Sequence, residues 1–368
     1  MTTVLIAGTK KGAAIFKSDD RKNWSSDFVL KGWQATASAR DGDGRYYVAV
    51  GSDVFGPAIM VSDDLKTWTQ LESAPRFAAT DKGNADHHRI VGAFDFEGKY
   101  KEGGRFVDQI WTLVFAHGNL HAGVSEAGLF VSKDRGKSWQ GVDGFNNHPS
   151  RGEWMPGAGG LTAHTILVDA NDPKRMWVGV SAAGLFRTDD GGKTWARKNE
   201  GIDTNVGQCV HRLTLDPKNA DVIYRQDHRG VYKSRDAGDT WQRAESGLPI
   251  AELSDGHKCS FGFPIVMDRA TDTIFAVPLD GDNFRFPANG HLSVYRSKDG
   301  AAHWSAQSNG LPETNFAGIL RGAMSADQKG GVYFGTTGGS VYGTADLGEH
   351  WRQVASGLPR ILSVEAYS

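Results

Sequence analysis

Cysteine is nearly absent from this chain: its 368 residues include two, Cys209 and Cys259. Two thiols do not make the disulfide framework of a small secreted scaffold, so packing must hold the fold. Long apolar runs are missing too, and no stretch approaches the roughly 18–20 apolar residues of a membrane-spanning helix. The N-terminal MTTVLIAGTKKG offers Val4 to Ala7, too short for the apolar part of a secretory signal, and no basic segment precedes it. A cytoplasmic location is therefore expected. Charge of one sign is lacking as well. Lys and Arg number 41 against 43 Asp and Glu, and the formal net charge is -2. With no basic run, the chain has no electrostatic footprint for nucleic acid or an anionic membrane. No segment sustains a helical apolar period.

Glycine and tryptophan are abundant, at 47 and 11 residues, and both are periodic. TDDGGKTW, Thr188 to Trp195, has relatives along the whole chain: SKDRGKSW (Ser132 to Trp139), SRDAGDTW (Ser234 to Trp241), SKDGAAHW (Ser297 to Trp304) and TADLGEHW (Thr344 to Trp351). SDDRKNW (Ser18 to Trp24) and SDDLKTW (Ser62 to Trp68) are one residue shorter. Before each box come two short β-branched and aromatic runs, such as MWVGVS and GLFR, divided by turn residues. This pattern reads as antiparallel hairpins. Dividing 368 residues among seven copies gives about 53 each, the size of one four-stranded propeller blade. The expected fold is all-β, a single-domain seven-bladed β-propeller. The N-terminus begins at a second strand, VLIAGT, so the missing inner strand of blade 1 is assigned to the C-terminal RILSVEAYS.

The repeated Ser/Thr-x-Asp-x-Gly-x-Thr-Trp resembles the Asp box, or bacterial neuraminidase repeat, of sialidases, xyloglucanase-type glycoside hydrolases, sortilin-type receptors and a photosystem assembly factor. The resemblance covers the whole chain, and three boxes match it at every key position. It implies a propeller and no particular reaction, because one fold hosts unrelated chemistries. It also implies that the boxes are hairpins on the face away from any active site. A catalytic acid pair is needed once, whereas a turn is needed in every blade. Asp134, Asp190 and Asp236 are therefore read as turn acids. Lys22 and Lys66 stand where the box glycine would fall, and looser hairpins are expected there. The Phe/Tyr-Arg-Ile-Pro motif of sialidases is missing, since HRIVGAF, His88 to Phe94, lacks the proline. Sialidases also have six blades, and xyloglucanases use two propellers. A true sialidase is not expected.

Ligands of propellers meet loops that lead into inner strands or join second to third strands. His164 and His211 each precede an Asp by five residues, which makes them equivalent in neighbouring blades. Cys209 and His211 are two apart, as are His257 and Cys259, so each pair shares a face of a strand. This Cys/His set would suit a divalent transition metal such as zinc. Glu153 and Trp154 lie in RGEWMPGAGG. His88 and Arg89 lie in the long insertion Arg76 to Gly104, and Asp282 and Arg285 in the second, Pro278 to His291. Long loops in compact domains are commonly lids or binding loops. Arg321 is placed to grip an anion. His164, His211, His257, Glu153 and Arg321 are the candidate catalytic residues, with Trp154, His88, Arg89, Asp282 and Arg285 as ligand contacts. His121 aligns with Trp177, Ile223, Phe275 and Tyr333 and is expected in the core. Two functions fit: a glycosyl-hydrolase-like or lyase-like enzyme on a small polar or sugar substrate at the channel mouth, or a non-catalytic propeller that docks a ligand or protein partner on its top face.

Overall fold

Turns rich in Gly, Asp and Asn alternate with short β-branched and aromatic runs, and this pattern folds the chain into successive antiparallel hairpins. The computed structural model describes residues 2–52, 54–78, 81–92, 104–202 and 208–368. Seven four-stranded antiparallel sheets make a seven-bladed β-propeller. In blade 6, Gly262–Asp268, Thr273–Pro278, Val294–Ser297 and Ser305–Gln307 follow one another from inner to outer strand. Blade 1 departs from this order. Its Thr3–Thr9, Gly12–Ser18 and Ser25–Val29 are joined by Ile361–Tyr367, which pairs antiparallel with the first strand, Ile6 opposite Glu365. The expected ring closure is thus observed. Among the described residues, no helix is long and apolar enough to cross a membrane.

The blades fall into two compact units, one carrying blades 1, 5, 6 and 7 and the other blades 2, 3 and 4. In the first unit, Leu5, Phe16, Phe275, Tyr333, Phe334 and Val364 share one buried cluster. In the second, Tyr47, Ile59, Leu113, Leu120 and Phe130 do the same. Each fully buried side chain of this size contributes roughly 1.5–3 kcal/mol, which is what holds one sheet face against the next.

The boxes are turns. Thr188 Oγ1 accepts the N–H of Gly192 at 3.0 Å and donates to Asp190 Oδ1 at 2.8 Å. Asp190 in turn accepts the hydroxyl and the backbone N–H of Thr194, at 2.6 and 3.0 Å. These bonds from Thr194 hold its carboxyl well below the usual range. Asp134 and Asp236 repeat the arrangement with Ser138 and Thr240. Gly191 and Gly192 both take positive φ, 78° and 92°, which explains the paired glycines. In the short boxes the turn closes one residue earlier. Ser18 accepts from the N–H of Arg21, and Asp20 from those of Lys22 and Asn23, all at 2.8 Å. Arg21 and Leu65, at φ 59° and 64°, hold the glycine's place, not Lys22 and Lys66, and the expected loosening is corrected: the turn is one residue shorter and the same side chains still anchor it.

His121 is buried, and burial pushes its imidazole below the ordinary value. It pairs with Val131, one residue before a box, as Trp177 pairs with Arg187, Phe275 with Arg296 and Tyr333 with Gly343. In blade 5 that place belongs to Tyr224, opposite Lys233, and not to Ile223.

Candidate functional site

The first unit gathers residues from three blades around one ring. Phe263 lies at the start of the inner strand of blade 6, where a register irregularity separates Gly262 from Ile265. It is five residues before Asp268, the spacing that places His164 before Asp169 and His211 before Asp216. The equivalent of His211 in blade 6 is thus Phe263. His257 and Cys259 instead belong to an extra hairpin, Ala251–Glu252 with Lys258–Cys259, outside the four-stranded blade. This insertion corrects the expected alignment of His257 with His164 and His211.

Two cations face the Phe263 ring. The Arg321 guanidinium is 4.7 Å from its centroid and that of Arg285 is 5.9 Å away. His211 packs on the same ring at 4.7 Å and its Nδ1 lies 2.6 Å from the Gly262 carbonyl. A carbonyl only accepts, so Nδ1 carries the proton and the neutral tautomer keeps its lone pair on Nε2. His228, in the turn after Ile223–Asp227, meets His211 edge to face at 5.6 Å. Its Nε2 is 3.7 Å from Asp282 Oδ2. Burial lowers the His228 pKa, which keeps the imidazole neutral at neutral pH. Burial works against ionisation of Asp282 too, but the Ser254 hydroxyl and N–H, at 2.6 and 2.9 Å, hold it below the usual carboxylate range. Arg285 takes a left-handed φ of 56° after the helical turn Gly281–Phe284 and donates from Nε to the Asp282 carbonyl. Arg229, 2% exposed, grips Asp255 through both terminal nitrogens, and Asp255 accepts the His257 N–H.

The second unit shows the other predicted residues in different roles. Trp154 is 1% exposed and packs on Phe145 and Phe186 at 5.5 and 4.8 Å. A ring enclosed in the core cannot meet a ligand, so its expected binding role is corrected. Glu153 is exposed and pairs with Arg197 at 3.2 Å. Helix α1 (Ala85–Val91) carries His88 and Arg89. Arg89 pairs with Asp86 on the surface. His88 is buried, its Nε2 2.9 Å from Oε2 of Glu126, which is itself 1% exposed. Burial raises the Glu126 pKa, against His87, the Asn84 N–H and His88. His87 Nδ1 accepts the N–H of Leu161, so its proton sits on Nε2, 3.4 Å from Asp108. Of the long insertion that carries α1, residues 79–80 and 93–103 lie outside the described residues, including Phe94 of HRIVGAF.

The Cys/His set is not assembled. His164 sits at the bulge of Thr162–Val168 with Nδ1 3.1 Å from Thr165 Oγ1, and Cys209 Sγ is 2.9 Å from Ser181 Oγ. Cys259 is fully buried, which pushes its thiol up to about 12, and it bonds the His228 carbonyl. Among the described residues, no group of three or more His, Cys, Asp or Glu side chains could hold a metal ion.

Sequence reasoning missed Phe263, His228 and Glu126. The five-residue spacing to Asp268 could have found Phe263. Glu126 shows in VSEAGLF, because the next blade reads VSAAGLF and puts Ala182 at that place.

Scans against family models and curated proteins return no match. Among solved structures, the chain is similar to an ancestral GH74 enzyme at 15% identity and TM-score 0.54, over 88% of this chain and 40% of that one. It thus spans well under half the length of that protein. YCF48 from Cyanidioschyzon merolae aligns at 13% identity and TM-score 0.51, over 89% of this chain and 88% of that chain. The WD40 β-propeller domain of Doa1 aligns at 12% identity and TM-score 0.50, over 91% and 86%. At these identities the similarity is one of fold, and it includes both an enzyme and a WD40 propeller.

Proposed function

We propose that the blade 5–7 cluster binds a small carboxylated sugar and acts on it as a lyase. The observation that carries this reading is the convergence of Arg285 and Arg321 on the Phe263 face beside a neutral His228. Phe263 itself is 4% exposed and positions the two guanidiniums, so a ligand meets the cations and not the ring. The two guanidiniums supply charge-assisted bonds to a carboxylate. His228 then removes the proton α to that carboxylate, and Asp282 stabilises the imidazolium. The C–H electron pair forms a C=C bond as the β C–O bond breaks. The leaving oxygen departs with its electron pair and takes up a proton, while the arginines hold the charge that develops on the carboxylate. Glycoside hydrolysis fits this cluster less well. It needs one carboxyl kept protonated, whereas the Ser254 bonds favour an ionised Asp282.

The test incubates the protein with uronate glycosides and their methyl esters, following melting temperature and ultraviolet absorbance of the new C=C bond. A shift and an absorbance rise with the acids alone support the reading. Arg321→Ala is expected to weaken binding about tenfold or more, the cost of a charge-assisted contact. No response to any acid would sink it. A protein partner is the second reading, favoured by the exposure of Phe284 and Phe316, 70% and 68%, flanking Phe286. A partner that co-purifies with the wild type and is lost from Phe284→Ser/Phe316→Ser would favour it.

A further inference from the structure

The opposite, box-bearing face of the first unit carries a second feature, at the seam where the last blade meets the first. A cavity of about 290 Å³ is lined there by Arg21 and Lys22 of the first box and by Asp346, His350 and Arg352 around the last. Three permanent cations and one carboxylate thus line it. Both oxygens of that carboxylate are already engaged. Asp346 Oδ1 takes the Thr344 hydroxyl at 2.6 Å and the His350 N–H at 3.0 Å, and Oδ2 lies 2.9 Å from His350 Nδ1. Arg21 is already held, its Nη1 3.2 Å from buried Asp327 and 2.8 Å from the Lys329 carbonyl. Lys22 and Arg352 make no ion pair among the described residues.

The neighbouring seam, between blades 6 and 7, shows what is different here. There Arg296 and Lys298 reach Glu349 at 2.7 and 3.8 Å, so the cations of one blade are neutralised by the box of the next. At the closing seam, the places of Arg296 and Lys298 belong to Gly343 and Ala345, and the place of Glu349 belongs to Lys22. Two long side chains are replaced by small ones, which opens the cavity, and the acid is replaced by a base, which inverts its charge.

We propose that this seam binds a phosphate-class oxyanion, whether inorganic phosphate or the phosphate of a monoester, and that the bound anion clamps the first and last blades together. Compact, multiply charged oxygens match a fork such as the Arg352 guanidinium beside the Lys22 ammonium. An anion bound only by the closed ring stabilises it by mass action.

Melting curves are recorded with inorganic phosphate, with glycerol phosphate and with sodium chloride at matched ionic strength. Lys22 and Arg352 are exposed, so Lys22→Glu and Lys22→Ala/Arg352→Ala are expected to fold. The wild type should show a saturable rise in Tm with at least one phosphate source and not with chloride. A response to glycerol phosphate at lower concentration would assign the site to monoesters, and equal responses to the free ion. Lys22→Glu recreates the charge of the blade 6–7 seam and should raise the half-saturating concentration about tenfold or more. The proposal is overturned if the wild type shows no phosphate-specific rise, or if the rise persists unchanged in both variants. Arg321→Ala should keep the phosphate response, which separates failure here from failure of the mouth site.

Discussion

The regions around Phe263 and Glu126 use the same kinds of residue in opposite ways. Around Phe263, Arg285 and Arg321 lie on the face of a ring, and His228 approaches Asp282 without full hydrogen-bond contact. Around Glu126, charged groups close on one another. His88 bonds Glu126, and Arg151 donates to the carbonyls of Glu126 and Ala127. Burial lowers Arg151 to about 9. Helix α1 supplies His87 and His88 to this second cluster. Titratable residues near the start of a propeller's inner strands are therefore no evidence of a site by themselves. What matters is whether another segment has satisfied them.

The largest test removes a support that only the first unit contains. Deleting residues 360–368 takes away Ile361–Tyr367 and leaves Thr3–Thr9 as an open sheet edge. The cooperative thermal transition should be lost. A truncated chain that melted at nearly the wild-type temperature would show that closure contributes little.

Next in size is Trp154→Ala, which empties a packed core position and should cost about 3–5 kcal/mol in urea unfolding. Affinity for a ligand at Phe263 should not change. Lost affinity with unchanged stability would return Trp154 to the binding residues.

A smaller effect concerns Glu126. Its folded pKa is raised, so its contribution to stability is fully present below the unfolded carboxylate pKa and is lost as pH rises through the folded value. The stability of Glu126→Gln relative to wild type should therefore increase with pH across that window, measured by denaturant melts. A flat difference would mean that His88 fully compensates the burial. Smallest of all, Arg89→Ala and Glu153→Ala remove exposed pairs and should each change stability by less than about 0.5 kcal/mol. They should leave binding intact, and a large loss of affinity in either would place that residue at the site.

Much of the fold was legible, because each box is a local hydrogen-bonded turn written in eight residues or fewer. The seven copies and the turn role of Asp190 follow from that, while the return of the C-terminal strand follows from the inner strand that the first repeat lacks. The candidate cluster was partly legible. His211, Arg285 and Arg321 were singled out and pack on Phe263, and Asp282 lies near His228. The extra hairpin Ala251–Cys259 shifted the alignment, so His257 took the place that belongs to Phe263. Trp154 sits in a loop rich in Gly and Pro and looks exposed in sequence. Its large apolar ring gains more from the Phe145 and Phe186 contact than from solvent.

Sequence alone decided the blade count and the turn chemistry, since both depend on residues within one repeat bonding to near neighbours. Only tertiary packing decided which histidines and acids are open and which are sealed. That outcome depends on side chains far apart in sequence meeting, as His88 meets Glu126 38 residues on and Arg321 meets Phe263 58 residues back. No local pattern records such a meeting, because its energy comes from burial and charge pairing between separate segments.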